Sequence, residues 1–484
     1  MTLYKKYILI TIHNQCVGFW LSAAKILSRN YNIVIVCRNH EAKKKFRTIL
    51  PDLNVSIECQ EYFYEKKENI NLNPLREACL IEKKYGETFT QIMSYDRGMG
   101  KGYISNAEKH PDSGKALWSH GRKIKELLKE FLLWEYIIDK YSPILILTKT
   151  HNDILSLIAN YNRIRYLGLG KAKYGSRFMW IDNKHYQSLK LMEKTKEYVS
   201  KYRKLNKFLS RDYVHDLSSI HVFSRFYYDI PTSIKVIIKL FIYDGYRKIR
   251  GTYNRDSYKP WGWIPVILRR LFRYSYFKKY GKKPDELKGV KFVYVPLSQE
   301  PEISLSSFSP EFTNSMEMLT WVSKSLQADT FLVVREHPAS FGVRSKYFHE
   351  NLRRISNVIL ACPEASSWDW VKCSKLVVTI SGTVGVEAVY FNKPVLIFGK
   401  HQIIRHLPTV RYANSLATTK GALNELLSIS ENDKLFKVSK EALYQAQMDV
   451  SFEMPGFEKT TKSDKLHTIF ADVAIARLKE SYDL

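Results

Sequence analysis

Three small residues, Ser381, Gly382 and Thr383, separate a short β-branched apolar run from a predicted helix over 384–391. A strand–turn–helix unit of this kind directs backbone N–H groups and hydroxyls at one position, where they attract phosphate. Glu387 lies one helical turn after Thr383, where its carboxylate could accept hydrogen bonds from a ribose. We therefore predict a phosphate and ribose site, although Ser and Thr are also common helix caps and a helical Glu is usually simply exposed.

A second group of polar residues follows two other predicted strands. Arg335 and His337 come directly after the apolar run 331–334, and Gln299 and Glu302 follow the run 292–296. In open α/β sheets, ligands bind beyond the carboxyl ends of the strands. Arg335 and His337 are therefore predicted to bind a leaving phosphate, and Gln299 and Glu302 to bind a base or sugar. An ordinary polar loop is an equally good interpretation of the last two.

These motifs resemble those of the bacterial capsule polysaccharide biosynthesis family, which includes Kdo transferases. The resemblance covers residues 290–412 and rests on Glu336-His337-Pro338, on a pattern of Ser381, Thr383, Gly385, Glu387 and Ala388, and on Lys393-Pro394-Val395. It implies a GT-B glycosyltransferase, most often with a CMP-sugar donor, whose phosphate would be held by His337 and the Ser381/Thr383 turn. Arg335 stands where a lysine is expected, which keeps the charge but changes the geometry.

The N-terminal half offers candidates for catalysis and acceptor binding. Asp96 and Arg97 precede a loop with three glycines that also contains Lys101, and a carboxylate there could act as base or nucleophile. Asp153, after the apolar run 144–148, is the rival catalytic residue, although a helix N-terminal acid explains it equally well. We assign acceptor contacts to Arg97, Lys101 and two residues that follow the first predicted strand, His13 and Asn14.

The alternation of strands and helices predicts the fold class. We expect an α/β protein with a GT-B-like architecture, in which two Rossmann-like domains face a cleft and a basic helical insertion lies between them. The predicted boundaries are 1–190 for an N-terminal acceptor domain with a parallel sheet, 191–289 for the basic helical segment and 290–484 for the C-terminal donor domain.

The charge is concentrated in one part of the chain. The net charge is +28, and residues 151–291 contain 31 Lys and Arg against 11 Asp and Glu, whereas residues 292–484 contain 21 of each. Trp and Tyr are interleaved with the basic residues over 231–283, which is typical of helices that lie on anionic membranes. The alternative is a helical subdomain with its apolar faces on the core. No recognisable nucleic-acid motif is present, and we expect no nucleic-acid partner.

Other features restrict the class of protein. No apolar run is long enough to span a membrane, the N-terminus lacks a signal cleavage site, and six cysteines are scattered without metal-binding spacing. We therefore expect a cytoplasmic protein, peripheral at the inner membrane, with no metal and no cofactor. The favoured function is transfer of Kdo or a related acidic sugar from CMP to a lipid-linked or capsule glycan. The alternatives are a GT-B-type nucleotide-sugar epimerase and a non-enzymatic polyanion-binding module.

Overall fold

The computed structural model describes residues 6–12, 16–50, 55–66, 73–103, 109–182, 187–205, 213, 229–249, 259–457 and 464–482. These residues form two compact units. The first contains Met1–Ile92, His120–Lys194 and Tyr444–Leu484, and the second contains Met93–Ser119 and Thr195–Leu443.

The first unit is built on a seven-stranded sheet in the order β13-β6-β5-β4-β1-β2-β3. Strands β1 to β5 are parallel to one another, while β6 pairs antiparallel with β5 and β13 antiparallel with β6 at one edge. The chain order reverses between β1 and β4, which makes this the switch point of a Rossmann-like sheet. The strands are β1 (Tyr7–Ile12), β2 (Asn32–Cys37), β3 (Val55–Cys59), β4 (Leu145–Thr148), β5 (Arg165–Lys171), β6 (Arg177–Asp182) and β13 (Ser451–Glu453).

Helices pack against this sheet. The last helix of the chain packs against the first, and Trp180 Nε1 on β6 donates to the carbonyl of Ala474 at 3.0 Å. The C-terminal segment therefore belongs to the core of the first unit. The α-helices described within the first 205 residues are α1 (Val17–Leu27), α2 (His40–Ile49), α3 (Gln60–Lys66), α4 (Pro74–Tyr85), α5 (Phe89–Tyr95), α6 (His120–Tyr141), α7 (Asp153–Tyr161) and α8 (Leu189–Arg203).

The second unit contains a six-stranded sheet that is parallel throughout, in the order β12-β11-β10-β7-β8-β9. Its first strand, β7, lies in the middle, and the chain order reverses between β7 and β10. Apolar β-branched residues dominate these strands because both faces are buried. The strands are β7 (Lys291–Pro296), β8 (Thr330–Arg335), β9 (Val358–Leu360), β10 (Leu376–Thr379), β11 (Val395–Ile397) and β12 (Val410–Tyr412).

The remaining helices of the described residues lie after α8 in the sequence. They are α9 (Ile230–Ile249), α10 (Pro260–Tyr280), α11 (Ile303–Ser306), α12 (Ser315–Ser325), α13 (Lys346–Arg354), α14 (Ser367–Cys373), α15 (Val384–Tyr390), α16 (Leu416–Leu427), α17 (Lys434–Val450) and α18 (Asp464–Tyr482), with short 3₁₀ turns at Gly114–Leu117, Pro284–Leu287, Pro310–Phe312 and Pro338–Ser340. Each helix within the described ranges is too short or too polar to span a bilayer.

The predicted fold class is confirmed, because the chain contains two Rossmann-like α/β units and a helical, basic segment that precedes the second sheet in the sequence. The grouping of segments differs from the predicted boundaries. The predicted helical segment 191–289 is not a separate unit, because residues 191–194 group with the first unit and residues 195–289 with the second. Residues 93–119 pack with the second unit and residues 444–484 with the first. The antiparallel strands β6 and β13 also depart from the parallel sheet expected over 1–190, because β6 follows β5 through a tight turn instead of a helical crossover.

Candidate nucleotide site

Three neighbouring strands of the second sheet end at one edge, and each is followed by a predicted site segment. Strand β7 lies between β10 and β8, with Pro296 paired to Arg335 and Tyr294 paired to Val377. The segments that follow β7, β8 and β10 therefore meet at the carboxyl edge, on either side of the switch point. This is the position at which parallel α/β sheets bind ligands.

The turn after β10 is held in place by two hydrogen bonds. Thr379 Oγ1 accepts from the Gly382 backbone N–H at 2.9 Å, and Gln402 Nε2 donates to the Gly382 carbonyl at 3.2 Å. A Cβ at Gly382 would approach Thr379 Oγ1 to 2.9 Å, so a side chain at this position would disturb the turn. Thr383 precedes α15 but makes no side-chain capping bond, so the capping explanation does not account for its exposed hydroxyl. Ser381 beside it is buried.

His337 follows β8 and has a defined tautomer. Its Nδ1 accepts a hydrogen bond from the Ala339 backbone N–H at 3.2 Å, which caps the 3₁₀ turn that begins at Pro338. Because Nδ1 is the acceptor, the ring proton lies on Nε2, which can donate to a ligand oxygen. Burial lowers the pKa of His337 to about 4; the Glu336 carboxylate opposes this shift, whereas the Arg344 and Arg335 charges act in the same direction as burial. His337 is therefore neutral at pH 7, and its Nε2–H could serve as a hydrogen-bond donor.

Arg335 supplies the positive charge at this edge. Its Nη2 donates to the Ala365 carbonyl at 3.3 Å, and the side chain is half-buried at the end of β8. The Nε atom is buried and has no hydrogen-bond partner among the described residues. The guanidinium also lies within hydrogen-bonding reach of the buried Tyr294 hydroxyl, and its Nε–H remains as a donor that could serve an anionic group.

A buried ionic network behind His337 was not predicted from the sequence. Arg344 lies 2.6 Å from Glu300 and 3.0 Å from Glu336, and Glu336 also accepts from His349 Nε2 at 2.7 Å. All four side chains are buried. Burial alone would raise the pKa of Glu336, but Arg344 and the His349 hydrogen bond lower it to about 2.

This network connects the segments after β7 and β8. Arg344 Nη2 donates to the Ser298 carbonyl at 2.6 Å, and Glu336 Oε1 accepts from the His337 backbone N–H at 2.6 Å. The network therefore fixes the backbone on which His337 and Gln299 lie. Sequence reasoning included Glu336 only as part of a motif, because nothing in the chain around Arg344 indicates that this arginine is buried.

Glu387 and the residues after β7 have different environments. Glu387 is 4% exposed and accepts a hydrogen bond from Trp368 Nε1 at 3.1 Å, so it is not the exposed helical glutamate of the simpler interpretation. Glu302 is half-buried and accepts from Ser304 Oγ at 3.0 Å, and Gln299 is also half-buried. All three lie on segments that begin at the carboxyl edge of the sheet.

The glycine-rich loop lies in the second unit, beside this edge. Ser306 Oγ in α11 donates to the Tyr95 carbonyl at 3.4 Å, and the Lys109 backbone N–H donates to the Val343 carbonyl at 3.1 Å. Tyr95, next to Asp96, therefore contacts the segment after β7, and Lys109 contacts the segment that follows His337.

Within this loop, Asp96 has several partners. Its Oδ1 accepts from the backbone N–H groups of Gly98 and Met99 at 2.7 and 2.9 Å, and Oδ2 lies 3.1 Å from Lys115 Nζ. Burial opposes ionisation, but Lys115 and the two backbone donors lower the pKa of Asp96. Lys101 pairs with Asp112 at 2.5 Å, whereas Arg97 is exposed. Asp96 is thus an ionised carboxylate that also organises its loop.

The rival Asp153 lies in the first unit, at the carboxyl edge of the first sheet. It is the first residue of α7, and its Oδ1 lies 3.3 Å from Nε2 of the buried His151. Asn152, not Asp153, caps the helix by accepting from the Leu155 N–H at 2.7 Å. The predicted acceptor residues His13 and Asn14 lie outside the described residues. No group of His, Cys, Asp and Glu within the described chain has the arrangement of a metal site.

The chain is therefore an α/β protein with two Rossmann-like units. The carboxyl edge of the second sheet carries polar side chains and the positive charge of Arg335 at the switch point between β7 and β10. Residues 200–403 match the model of a family described as "Capsule polysaccharide biosynthesis protein". This match confirms the predicted resemblance for the part of the chain that contains His337 and the Ser381 turn. No curated protein matches the chain by sequence.

Similar solved structures are distant. KpsC from Thermosulfurimonas dismutans, described as a beta Kdo 2,7 transferase, is 14% identical over 67% of this chain and 97% of its own, with a TM-score of 0.30. The UDP-GlcNAc 2-epimerase of Methanocaldococcus jannaschii is 11% identical over 91% of this chain and 99% of its own, with a TM-score of 0.26. Likenesses this weak do not define an activity.

Proposed function

We propose that this protein is a glycosyltransferase of capsule or lipopolysaccharide assembly that transfers Kdo or a related acidic sugar from a CMP donor to a lipid-linked glycan. The main support is the meeting of Arg335, His337 and the Ser381–Thr383 turn at the switch point of the second sheet. A transferase must bind a charged nucleotide and stabilise its phosphate as it leaves. Oriented N–H donors and a guanidinium do this without covalent chemistry.

A nucleotide screen tests the donor class. CMP is expected to raise the thermal unfolding temperature more than UDP, GDP or ADP at equal concentration. A ligand that binds only the native state stabilises it by about 2.7 kcal/mol at a hundred times its Kd. A larger shift with UDP would favour the epimerase alternative or a UDP-sugar donor, and no shift with any nucleotide would contradict a donor site in this protein.

Asp96 is proposed as the catalytic carboxylate, and Asp153 as its rival. Asp96→Asn keeps an oxygen acceptor for the Gly98 and Met99 N–H groups and removes only the charge, so the loop should remain folded. We expect kcat to fall by about 10²- to 10⁴-fold with little change in donor KM, because a base acts in the transition state. Asp153→Asn is the matched variant. If it loses turnover while Asp96→Asn retains it, the catalytic carboxylate follows β4 instead.

The basic helices support the proposal that the enzyme acts at the cytoplasmic face of a membrane. Five isoleucines on α9 are each between 51% and 88% exposed, and on α10 Trp261 and Phe272 are 71% and 77% exposed. Trp261 packs edge-on against Phe241 of α9 with ring centroids 4.8 Å apart, so the two helices form one surface. The alternative, in which the apolar faces of these helices pack on the core, does not fit α9. Among the described residues of this helix, the buried one is Ser233, which is polar. The isoleucines are Ile230, Ile234, Ile238, Ile242 and Ile249.

Vesicle sedimentation tests this contact. The protein should bind vesicles containing phosphatidylglycerol more strongly than pure phosphatidylcholine vesicles, since each basic residue near an anionic surface adds about 1 kcal/mol. Binding should weaken as salt rises, and Phe272→Ala or Ile242→Ser should reduce it without lowering thermal stability. Equal binding by these variants would exclude α9 and α10 as the membrane surface.

A further inference from the structure

Helix α10 presents one face to two segments that carry proposed site residues. Gly262, Val266 and Arg269 lie on this face, because they are four and then three residues apart. A Cβ at Gly262 would lie 3.2 Å from Pro111 Cβ. A Cβ at Gly342 would lie only 2.1 Å from the Val266 carbonyl oxygen, so a residue without a side chain is required there. The helix therefore contacts both the loop that follows β8 and the segment that follows the glycine-rich loop.

Arg269 joins the same two segments through its guanidinium. Its Nε donates to the Gly342 carbonyl and its Nη2 to the Lys109 carbonyl, each at 3.0 Å. The Lys109 backbone N–H in turn donates to the Val343 carbonyl at 3.1 Å. A planar guanidinium holds its donors in a fixed geometry, so this one side chain fixes the position of one carbonyl relative to the other.

The chain around Lys109 is connected to Asp96 by two side chains. Lys101 Nζ, in the glycine-rich loop, donates to the His110 carbonyl at 2.8 Å. Lys115 Nζ lies 3.1 Å from Asp96 Oδ2. The position of the Asp96 loop therefore depends on where the backbone around Lys109 is held.

The other carbonyl belongs to a loop that has additional support. Gly342 lies between His337 and Arg344 in the sequence. The ion pairs of Arg344 with Glu300 and Glu336 hold this loop independently of Arg269. Loss of Arg269 should therefore release the Asp96 segment and leave the His337 backbone in place.

We infer that Arg269 is a positioning residue for the transfer reaction, which holds the segment of the catalytic carboxylate against the loop of the donor site. This inference rests on the proposed transferase function and adds a residue of the basic helical segment to its machinery. Arg269 acts through the Lys109 and Gly342 backbone, so its loss should lower turnover and leave nucleotide binding unchanged.

The test variant is Arg269→Met, which removes the guanidinium donors and keeps an apolar stem. Turnover is measured as CMP release from CMP-Kdo, the donor of the proposed function. We expect kcat to fall by about 10- to 100-fold, because a small displacement of a catalytic group has an effect of this size. The donor KM and the CMP affinity measured by calorimetry should stay at the native values. Native turnover in Arg269→Met would overturn the inference.

Hydrogen exchange measured by mass spectrometry reports the position of the segment directly. In Arg269→Met, peptides covering 93–103 and 109–119 should exchange about tenfold faster, while strands β7 and β8 stay native. Native exchange in these peptides would overturn the inference. Faster exchange in β7 and β8 as well would overturn it too, because the variant would then destabilise the whole unit.

The matched control is Lys279→Met, because Lys279 is exposed on the same helix and its Nζ lies 5.2 Å from the centre of the neighbouring Tyr280 ring. Its turnover and its exchange should be native, and equal effects of the two variants would overturn the inference. Asp96→Asn in the same assays separates the two proposals. If Asp96→Asn keeps native turnover, the proposed catalytic carboxylate fails, whereas loosened peptides and lost turnover in Arg269→Met still support a positioning role.

Discussion

Replacing Arg344 with methionine is expected to destabilise the second unit by about 3–5 kcal/mol. Arg344 lies between Glu300 and Glu336, and all three side chains are buried. Removing the guanidinium leaves two carboxylates without a counter-ion in a site that water does not reach. The loss should appear in chemical denaturation followed by circular dichroism, as a shift in the transition of the second unit.

Arg354→Met is the control for this experiment, because Arg354 is exposed in the last turn of α13. A surface substitution of this kind changes stability by no more than about 0.5 kcal/mol. Because the network also fixes the His337 backbone, Arg344→Met should weaken nucleotide binding as well. Equal stability of the two variants would mean that the network does not hold the loops after β7 and β8 together.

Phe277→Ala is expected to cost about 3–5 kcal/mol, the usual loss for a buried phenylalanine. Phe277 is 1% exposed and packs against Phe341 and His349, with ring centroids 5.2 and 4.9 Å apart. It therefore anchors α10 to the core of the second unit. Thermal unfolding of the purified variant measures the loss.

Phe272→Ala, on the same helix, is expected to change vesicle binding and not stability, the opposite of the result expected for Phe277→Ala. Phe272 is 77% exposed, so its removal should leave the unfolding temperature unchanged while reducing vesicle binding. Phe277→Ala should lower stability instead. If Phe272→Ala destabilised the protein as much as Phe277→Ala, α10 would be a structural helix on both faces.

Much of the fold could be predicted because the spacing of apolar residues along the sequence follows the buried faces of strands and helices. Strand β1 is a continuous apolar run, and the helix predicted over 384–391 after the Ser381 turn ends one residue earlier, at Tyr390. Strand β3 was missed because Val55–Cys59 alternates polar and apolar residues over only five positions. The antiparallel β13 was missed because it is three residues long and pairs with β6 far away in sequence.

The site could be predicted in part for similar reasons. His337 and Ser381 follow strands, so their position at one edge follows from the parallel order of the sheet. The partners of His337 could not be predicted, because Arg344 and His349 reach Glu336 only after the chain turns back on itself. The packing of the Asp96 loop with the second unit has no local signal either, since it depends on contacts such as that between Lys109 and Val343.

The most direct test of the proposed donor site is calorimetric titration of CMP into the native protein and into His337→Asn. Asparagine keeps an acceptor for the Ala339 N–H but removes the Nε2 donor, so the 3₁₀ turn should remain intact. A hydrogen bond to a charged phosphate contributes about 1.5–3 kcal/mol, so the variant should bind CMP about 10- to 100-fold more weakly while unfolding at the native temperature. Equal CMP affinity in a folded His337→Asn protein would contradict the assignment of the nucleotide site to this edge of the second sheet.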